Sequence, residues 1–165
     1  MQEMVIYGVS FDQVGNTPIV LLKTAEGNRF LPIWIGAPEA TAILMKLQGA
    51  AAPRPLTHDL FTSILGQLDA KVERISVTDL KENTFYAVIT LARESGEEIE
   101  IDSRPSDAIA LAVRVDAPIF VADAVIDEAS VVFDGDHLDD DDIVAQFKEF
   151  LDSVSPDEFA GGEVS

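Results

Sequence analysis

The chain contains no cysteine, one tryptophan and two histidines among its 165 residues. Without cysteine it has no disulfide bonds, no thiolate nucleophile and no cysteine-ligated zinc site. Its apolar runs fall well short of the ~20 residues that a membrane-spanning helix needs. The N-terminal residues Met1-Gln2-Glu3-Met4 lack the basic stretch with which a secretory signal begins. The sequence therefore predicts a cytoplasmic protein without a membrane span.

Basic residues are also scarce, with 11 Lys and Arg against 30 Asp and Glu and a net charge of −19. Up to Ala122 there are 10 basic and 16 acidic residues, and from Asp123 onward there are 1 and 14. Such a charge repels a phosphate backbone at long range. Any phosphate chemistry must therefore depend on a local basic cluster or on metal ions.

Hydrophobic residues make up 47% of the chain, enough for one globular domain of this length. Alternating apolar residues predict strands, and apolar residues at helical spacing predict helices. The predicted strands are 4–11, 19–23, 29–35, 72–80, 85–92, 98–102 and 118–121. The predicted helices are 39–49, 57–68 and 105–116. We expect residues 98–102 to turn Ile99 and Ile101 inward.

These elements predict a single compact α+β domain, in which three helices pack on a mostly antiparallel or mixed sheet. The first three strands are expected to form an antiparallel meander. We place the domain at residues 1–124 and an acidic C-terminal extension at 125–165. Within the extension we expect an irregular segment at 127–133, an acidic loop, a helix at about 140–153 and a disordered tail.

Two segments repeat one pattern, an Arg-Pro step followed by a hydroxyl and an aspartate at a helix start. They are Arg54-Pro55-Leu56-Thr57-His58-Asp59 and Arg104-Pro105-Ser106-Asp107. Free N–H groups, the helix dipole and a guanidinium suit a phosphate group, so Arg54, Thr57, Arg104 and Ser106 are candidate phosphate ligands. Alternatively, the hydroxyls cap the helices and each arginine pairs with an aspartate.

His58 and the acidic residues near these starts are candidates for catalysis. Histidine suits general acid–base work near neutral pH, or a metal ligand beside Asp59. Glu39 lies in the first turn of a predicted helix and Asp102 ends a strand, so their carboxylates are candidate ligands for Mg²⁺ or Mn²⁺. The chain has no P-loop, G-x-S-x-G, H-E-x-x-H or dinucleotide fingerprint, and we expect no organic cofactor.

Three motifs in order resemble the bifunctional nuclease domain family. They are LPIWIG at 31–36 with Glu39-Ala40, RPLTHDL at 54–60, and RPSDAIALA at 104–112. The likeness covers roughly residues 4–124, and in overall style the chain is similar to actinobacterial members. It implies a compact α+β domain, often oligomeric, with nuclease activity on DNA and RNA. An acidic tail stands where many bacterial members carry a motif similar to one in nucleotide-excision repair proteins.

The favoured hypothesis is a metal-assisted nuclease. Its predicted catalytic residues are His58, Asp59, Arg104 and Asp107, with Glu39 and Asp102 as metal ligands and nucleic acid as substrate. One alternative is a non-enzymatic regulatory or scaffolding module whose acidic tail contacts a basic protein. Another is a domain that binds a small anion such as a nucleotide. With any of these functions we expect the chain to form a homo-oligomer.

Overall fold

The computed structural model of the chain describes residues 1–11, 17–133 and 140–153. Within these residues eight strands form one sheet, accompanied by five helices. The strands are β1 (Gln2–Phe11), β2 (Pro18–Thr24), β3 (Arg29–Trp34), β4 (Ala70–Lys81), β5 (Thr84–Arg93), β6 (Glu98–Ser103), β7 (Ile119–Val121) and β8 (Val131–Val132). The helices are α1 (Ala37–Leu47), α2 (Thr57–Gln67), α3 (Pro105–Val115), α4 (Asp123–Ala129) and α5 (Asp140–Ser153). The predicted α+β fold class is confirmed.

The first three strands form the predicted antiparallel meander. β1 pairs with β2 from Met4 opposite Thr24 to Phe11 opposite Pro18, and β2 pairs with β3. Residues 12–16, between β1 and β2, lie outside the described part of the chain. β2 is buried along nearly its whole length, as expected for a strand covered on both faces.

β7 joins the meander to the second half of the sheet. The strand order is β6-β5-β4-β7-β1-β2-β3-β8, and β7 pairs parallel with β4 and antiparallel with β1. The β4–β5 hairpin turns at Glu82 and Asn83, which both have positive φ, as tight hairpin turns require. The sheet is therefore mixed, and β6 lies at its edge.

Alternating residues divide the core into two parts, one on each face of the sheet. Val20 and Leu22 of β2 pack into the larger part, together with α1, α3 and α4. Ile19 and Leu21 pack into a smaller part with Phe30, Trp34, Phe133 and Phe147 of α5. Phe147, Phe150 and Leu151 of the C-terminal helix therefore pack against this same chain.

The helix pattern at 57–68 predicts α2 correctly, but most of its apolar side chains do not face the core. Leu60, Phe61, Ile64 and Leu68 are exposed, and Leu65 packs partly against the core. The reason is that α2 contacts α3 and β4 instead of lying flat on the sheet. Ile101 is also exposed, against the prediction, because β6 is the edge strand.

The segment at 127–133 is regular, contrary to the prediction of an irregular segment. Residues 123–129 form α4, whose Val125, Ile126 and Ala129 are buried, and β8 pairs with β3. The acidic residues between these apolar positions obscure the helix in the sequence. The domain boundary at 124 stays a prediction, and the expected acidic loop and tail fall mostly outside the described residues.

Candidate functional site

An open cavity of about 820 Å³ lies where α1, α2 and α3 begin, beside β5 and β6. We call it the His58 cavity. Six of the nine predicted site residues line it: Glu39, Thr57, His58, Asp102, Arg104 and Asp107. Sequence reasoning missed its apolar wall, which includes Met45, Phe61 and Ile101. The sequence carries no signal for this wall, because the exposure of Phe61 and Ile101 depends on how α2 and β6 pack.

Two sharp strand-to-helix turns bring the charged residues together. β3 leads through Gly36, the N-cap residue of α1, into a first turn that contains Pro38 and Glu39. β6 leads directly into α3, with Arg104 as N-cap and Pro105 as the first helical residue. Proline suits this position because its fixed φ is helical and its missing N–H has no helical partner there.

His58, Asp107, Arg104 and Glu39 form one hydrogen-bonded line. His58 Nε2 lies 3.0 Å from Asp107 Oδ1, Arg104 Nε donates to Asp107 Oδ2 at 2.8 Å, and Arg104 Nη2 donates to Glu39 Oε1 at 3.1 Å. An ionised Asp107 can only accept hydrogen bonds, so His58 donates from Nε2. Nδ1 then carries the lone pair that can take a proton.

The pKa values of Asp107 and Arg104 favour the charged forms of these two residues. Burial, the largest single influence, raises the pKa of Asp107, but the hydrogen bonds from Arg104 and His58 together lower it below its ordinary value. The hydrogen bond to Asp107 raises the pKa of Arg104, with Glu39 adding to the effect against burial. Asp107 is therefore ionised at neutral pH and fixes the orientation of the His58 ring.

Gly36 leaves space for the Glu39 carboxylate, which folds back toward Arg104. A Cβ at position 36 would collide with Glu39 Oε2. The Glu39 side chain is only 14% exposed, although its partner Arg104 is 57% exposed. The glycine before this helix therefore has a specific steric function in the site.

Asp59 does not line the His58 cavity. Its Oδ2 accepts a hydrogen bond from the Leu56 N–H at 2.9 Å, which caps α2, and its Oδ1 accepts one from Arg114 Nε at 2.7 Å. The Leu56 hydrogen bond, with Arg114, lowers the pKa of Asp59 against the effect of burial. Arg114 also donates to the carbonyls of Ala110 and Ala42, so it ties α1, α2 and α3 together. A lone arginine in the apolar run of α3 was the available signal for this residue.

The remaining predicted phosphate ligands are dispersed. Thr57 lines the His58 cavity, Ser106 is buried and does not line it, and Arg54 lines a neighbouring cavity. The two Arg-Pro helix starts are therefore close in space, but they do not place both arginines in one site.

The predicted metal ligands form only part of a donor set. The part of the chain that the structure describes has no group of three or more His, Asp or Glu side chains arranged to hold a metal ion. Glu39 and Asp102 nevertheless line one cavity. Mg²⁺ usually keeps several waters and binds one or two carboxylates together with substrate phosphates. These residues thus fit an ion that arrives with a phosphate-bearing substrate, and they do not form a complete protein cage.

Searches for similar proteins give consistent results. The model of the bifunctional nuclease domain matches residues 20–134. An uncharacterized protein of Mycobacterium tuberculosis is 42% identical over 165 residues, which cover 96% of this chain and 98% of that protein. Bifunctional nuclease 1 of rice (Oryza sativa subsp. japonica) is 29% identical over 62% of this chain, and that of Arabidopsis thaliana is 26% identical over 63%.

The aligned part of this chain spans about a third of those plant proteins, 32% and 33% of their lengths. No helix in the described residues is long and apolar enough to cross a membrane. The resemblance inferred from the three motifs is confirmed, and the chain belongs to the bifunctional nuclease domain family.

Proposed function

We propose that the chain is a nuclease that hydrolyses phosphodiester bonds of DNA and RNA in the His58 cavity. The observation that carries the proposal is the hydrogen-bonded line from His58 through Asp107 to Arg104 inside an open cavity. Membership of the family and the names of the plant relatives support it. A base, a group that orients it and a cation are the parts that phosphodiester hydrolysis needs.

In this mechanism the neutral His58 takes a proton from water as the water oxygen attacks phosphorus. Asp107 keeps Nε2 protonated, so Nδ1 accepts the proton, and its carboxylate stabilises the imidazolium that forms. The bond from phosphorus to the departing sugar oxygen breaks, and that oxygen receives the proton back from His58. Arg104 holds a phosphate oxygen and offsets the charge that develops on it.

Metal assistance by Mg²⁺ or Mn²⁺ is a separate part of the proposal. Glu39, Asp102 and Asp107 bring three carboxylates to the cavity against the single guanidinium of Arg104. A phosphodiester entering this acidic cavity needs a further cation. Asp102 and Glu39 are the residues that would hold it, and the ion would supply charge neutralisation.

The test compares cleavage of single-stranded DNA and RNA by the wild type, His58→Ala and Asp107→Asn. We expect both variants to cleave about 10²–10⁴-fold more slowly, the range for loss of general acid–base catalysis. Gln67→Ala, an exposed change on the same helix α2, is the matched control and should cleave like the wild type. Chelation by EDTA should abolish cleavage if a divalent ion takes part.

Equal cleavage by the wild type and His58→Ala, at equal melting temperature, would assign the activity to another site or to a contaminant. No cleavage by any protein would favour the non-enzymatic alternatives. An interaction module has one specific observation in its favour, the exposed apolar residues Leu60, Phe61, Ile64 and Leu68 of α2. Light scattering would test whether the chain forms a homo-oligomer. Asp139→Asn/Asp140→Asn/Asp141→Asn/Asp142→Asn, which retains Phe147 of α5 in the core, would test whether the acidic tail binds a basic protein.

A further inference from the structure

A second cavity, of about 380 Å³, adjoins the His58 cavity. Met45 of α1 and Leu56 line both cavities. Its other walls come from the end of α1, the loop at 50–55 and Asp59 and Arg114. We call it the Arg54 cavity. The two cavities are therefore neighbours that share a wall at Met45 and Leu56.

The charge of the Arg54 cavity is opposite to that of the His58 cavity. Lys46, Arg54 and Arg114 line it, and its carboxylate, Asp59, is paired with Arg114 at 2.7 Å. Lys46 and Arg54 therefore add two positive charges that no carboxylate in the lining balances. In a chain with a net charge of −19, this is the local basic cluster that phosphate binding requires.

Arg54 differs from the other arginines in its lack of an ion pair. The other five, Arg29, Arg74, Arg93, Arg104 and Arg114, each lie within 4.0 Å of a carboxylate. Among the described residues Arg54 has no such partner, although the chain has 30 acidic residues to offer. Folding thus leaves this guanidinium available to an external anion.

The backbone around Arg54 is constrained before any ligand binds. Gly49 has φ +66° and ends α1, and the Ala50 N–H donates to the Met45 carbonyl at 2.9 Å. Prolines at 53 and 55 flank Arg54, and each fixes its own φ. Less backbone freedom is lost when an anion binds to such a loop.

We propose that the Arg54 cavity binds a phosphate of the nucleic acid strand next to the phosphodiester that is hydrolysed in the His58 cavity. This proposal rests on the proposed function. A planar guanidinium beside an ammonium suits the oxygens of a phosphate. In this arrangement the acidic His58 cavity performs the hydrolysis and the basic Arg54 cavity holds the strand.

The test measures binding, so that it does not depend on cleavage. The probe is a fluorescent single-stranded oligonucleotide with phosphorothioate linkages that resist hydrolysis, titrated over a range of salt concentrations. Loss of the phosphate contact in Lys46→Ala/Arg54→Ala should weaken binding about tenfold and make the slope of log K against log salt shallower by about 0.7. The matched control, Lys71→Ala/Arg93→Ala, removes the same charge from another cavity and should bind like the wild type.

Equal weakening in both double variants would overturn the proposal, because it would indicate a general charge effect. Unchanged binding in Lys46→Ala/Arg54→Ala, at equal urea midpoint, would also overturn it. Inorganic phosphate and a mononucleotide form a second arm, measured as a rise in melting temperature. If these raise it only when Lys46 and Arg54 are present while oligonucleotide binding is unchanged, the site holds a free anion and the strand proposal fails. Arg54-dependent binding without cleavage would retain the role of the Arg54 cavity in holding the strand and reject the nuclease.

Discussion

The helices α2 and α3 begin with similar motifs and have the same length of 11 residues, but their surroundings differ. Seven residues of α3 are buried, whereas His58 is the buried residue of α2. α3 contacts α1, α2, β4 and β5, while α2 contacts α3 and β4. The motif therefore determines how each helix begins, whereas the neighbouring elements determine whether its apolar face is covered.

The two arginines also occupy different positions relative to their helices. Arg104 is the N-cap residue of α3, three residues before Asp107, and its side chain reaches that carboxylate. Arg54 lies two residues before Leu56, the N-cap residue of α2. Asp59 and Asp107 both fall three residues after the N-cap, so the aspartates are equivalent and the arginines are not. This offset turns one arginine into the His58 cavity and leaves the other in the Arg54 cavity.

The largest expected effect is a difference in the free energy of unfolding between two isoleucine-to-alanine variants, one in α3 and one in α2. Ile109 of α3 is 0% exposed and Ile64 of α2 is 45% exposed. Ile109→Ala should lower the free energy of unfolding by about 2–5 kcal/mol, because it removes buried methylene groups and leaves a cavity. Ile64→Ala should change it by less than about 0.5 kcal/mol. Urea unfolding followed by the fluorescence of Trp34 measures both.

If Ile64→Ala lowers the free energy of unfolding as much as Ile109→Ala does, the claim that the apolar face of α2 is uncovered is wrong. Such a result would mean that the apolar face of α2 is covered in solution, as in the expected homo-oligomer. Urea midpoints measured over a range of protein concentrations would separate the two cases, because subunit association makes stability depend on concentration.

The sequence predicts what depends on near neighbours in the chain. Alternation predicts the meander of β1, β2 and β3, and Pro105 with Asp107 predicts the start of α3. The Arg104–Asp107 pair can be inferred from a spacing of three residues. The pairing of His58 with Asp107 cannot be inferred from spacing. The two residues are 49 positions apart, and their contact depends on how α2 packs against α3. For the same reason the sequence does not identify Asp59 and Arg114 as partners, and it does not predict the uncovered face of α2.

Arg114 and Arg54 should contribute differently to the free energy of unfolding, because Arg114 ties three helices together and Arg54 does not. Arg114 is 7% exposed and donates to Asp59 and to the carbonyls of Ala110 and Ala42. Arg114→Ala should lower the free energy of unfolding by about 1.5–3 kcal/mol, the range for hydrogen bonds to charged groups. Arg54→Ala should change it by less than about 0.5 kcal/mol, because no ion pair is lost. Similar losses in the two variants would mean that Arg54 has a structural partner and would weaken the case for the Arg54 cavity.

The smallest expected effect is a pH dependence at the start of α3, because the Asp107 side chain is 32% exposed and solvent screens part of its interaction with Arg104. The pKa of Asp107 is lower in the folded chain than its ordinary value, since the hydrogen bonds from Arg104 and His58 outweigh burial. Such a carboxylate stabilises the fold above its unfolded pKa of about 3.9, and this stabilisation is lost as the pH falls through the folded value. The urea midpoint of the wild type should therefore exceed that of Asp107→Asn above about pH 4, and the difference should shrink on further acidification. A difference that stays constant into strong acid would show that the Asp107→Asn variant is destabilised by the shape of its amide, and that the charge of Asp107 contributes nothing to stability.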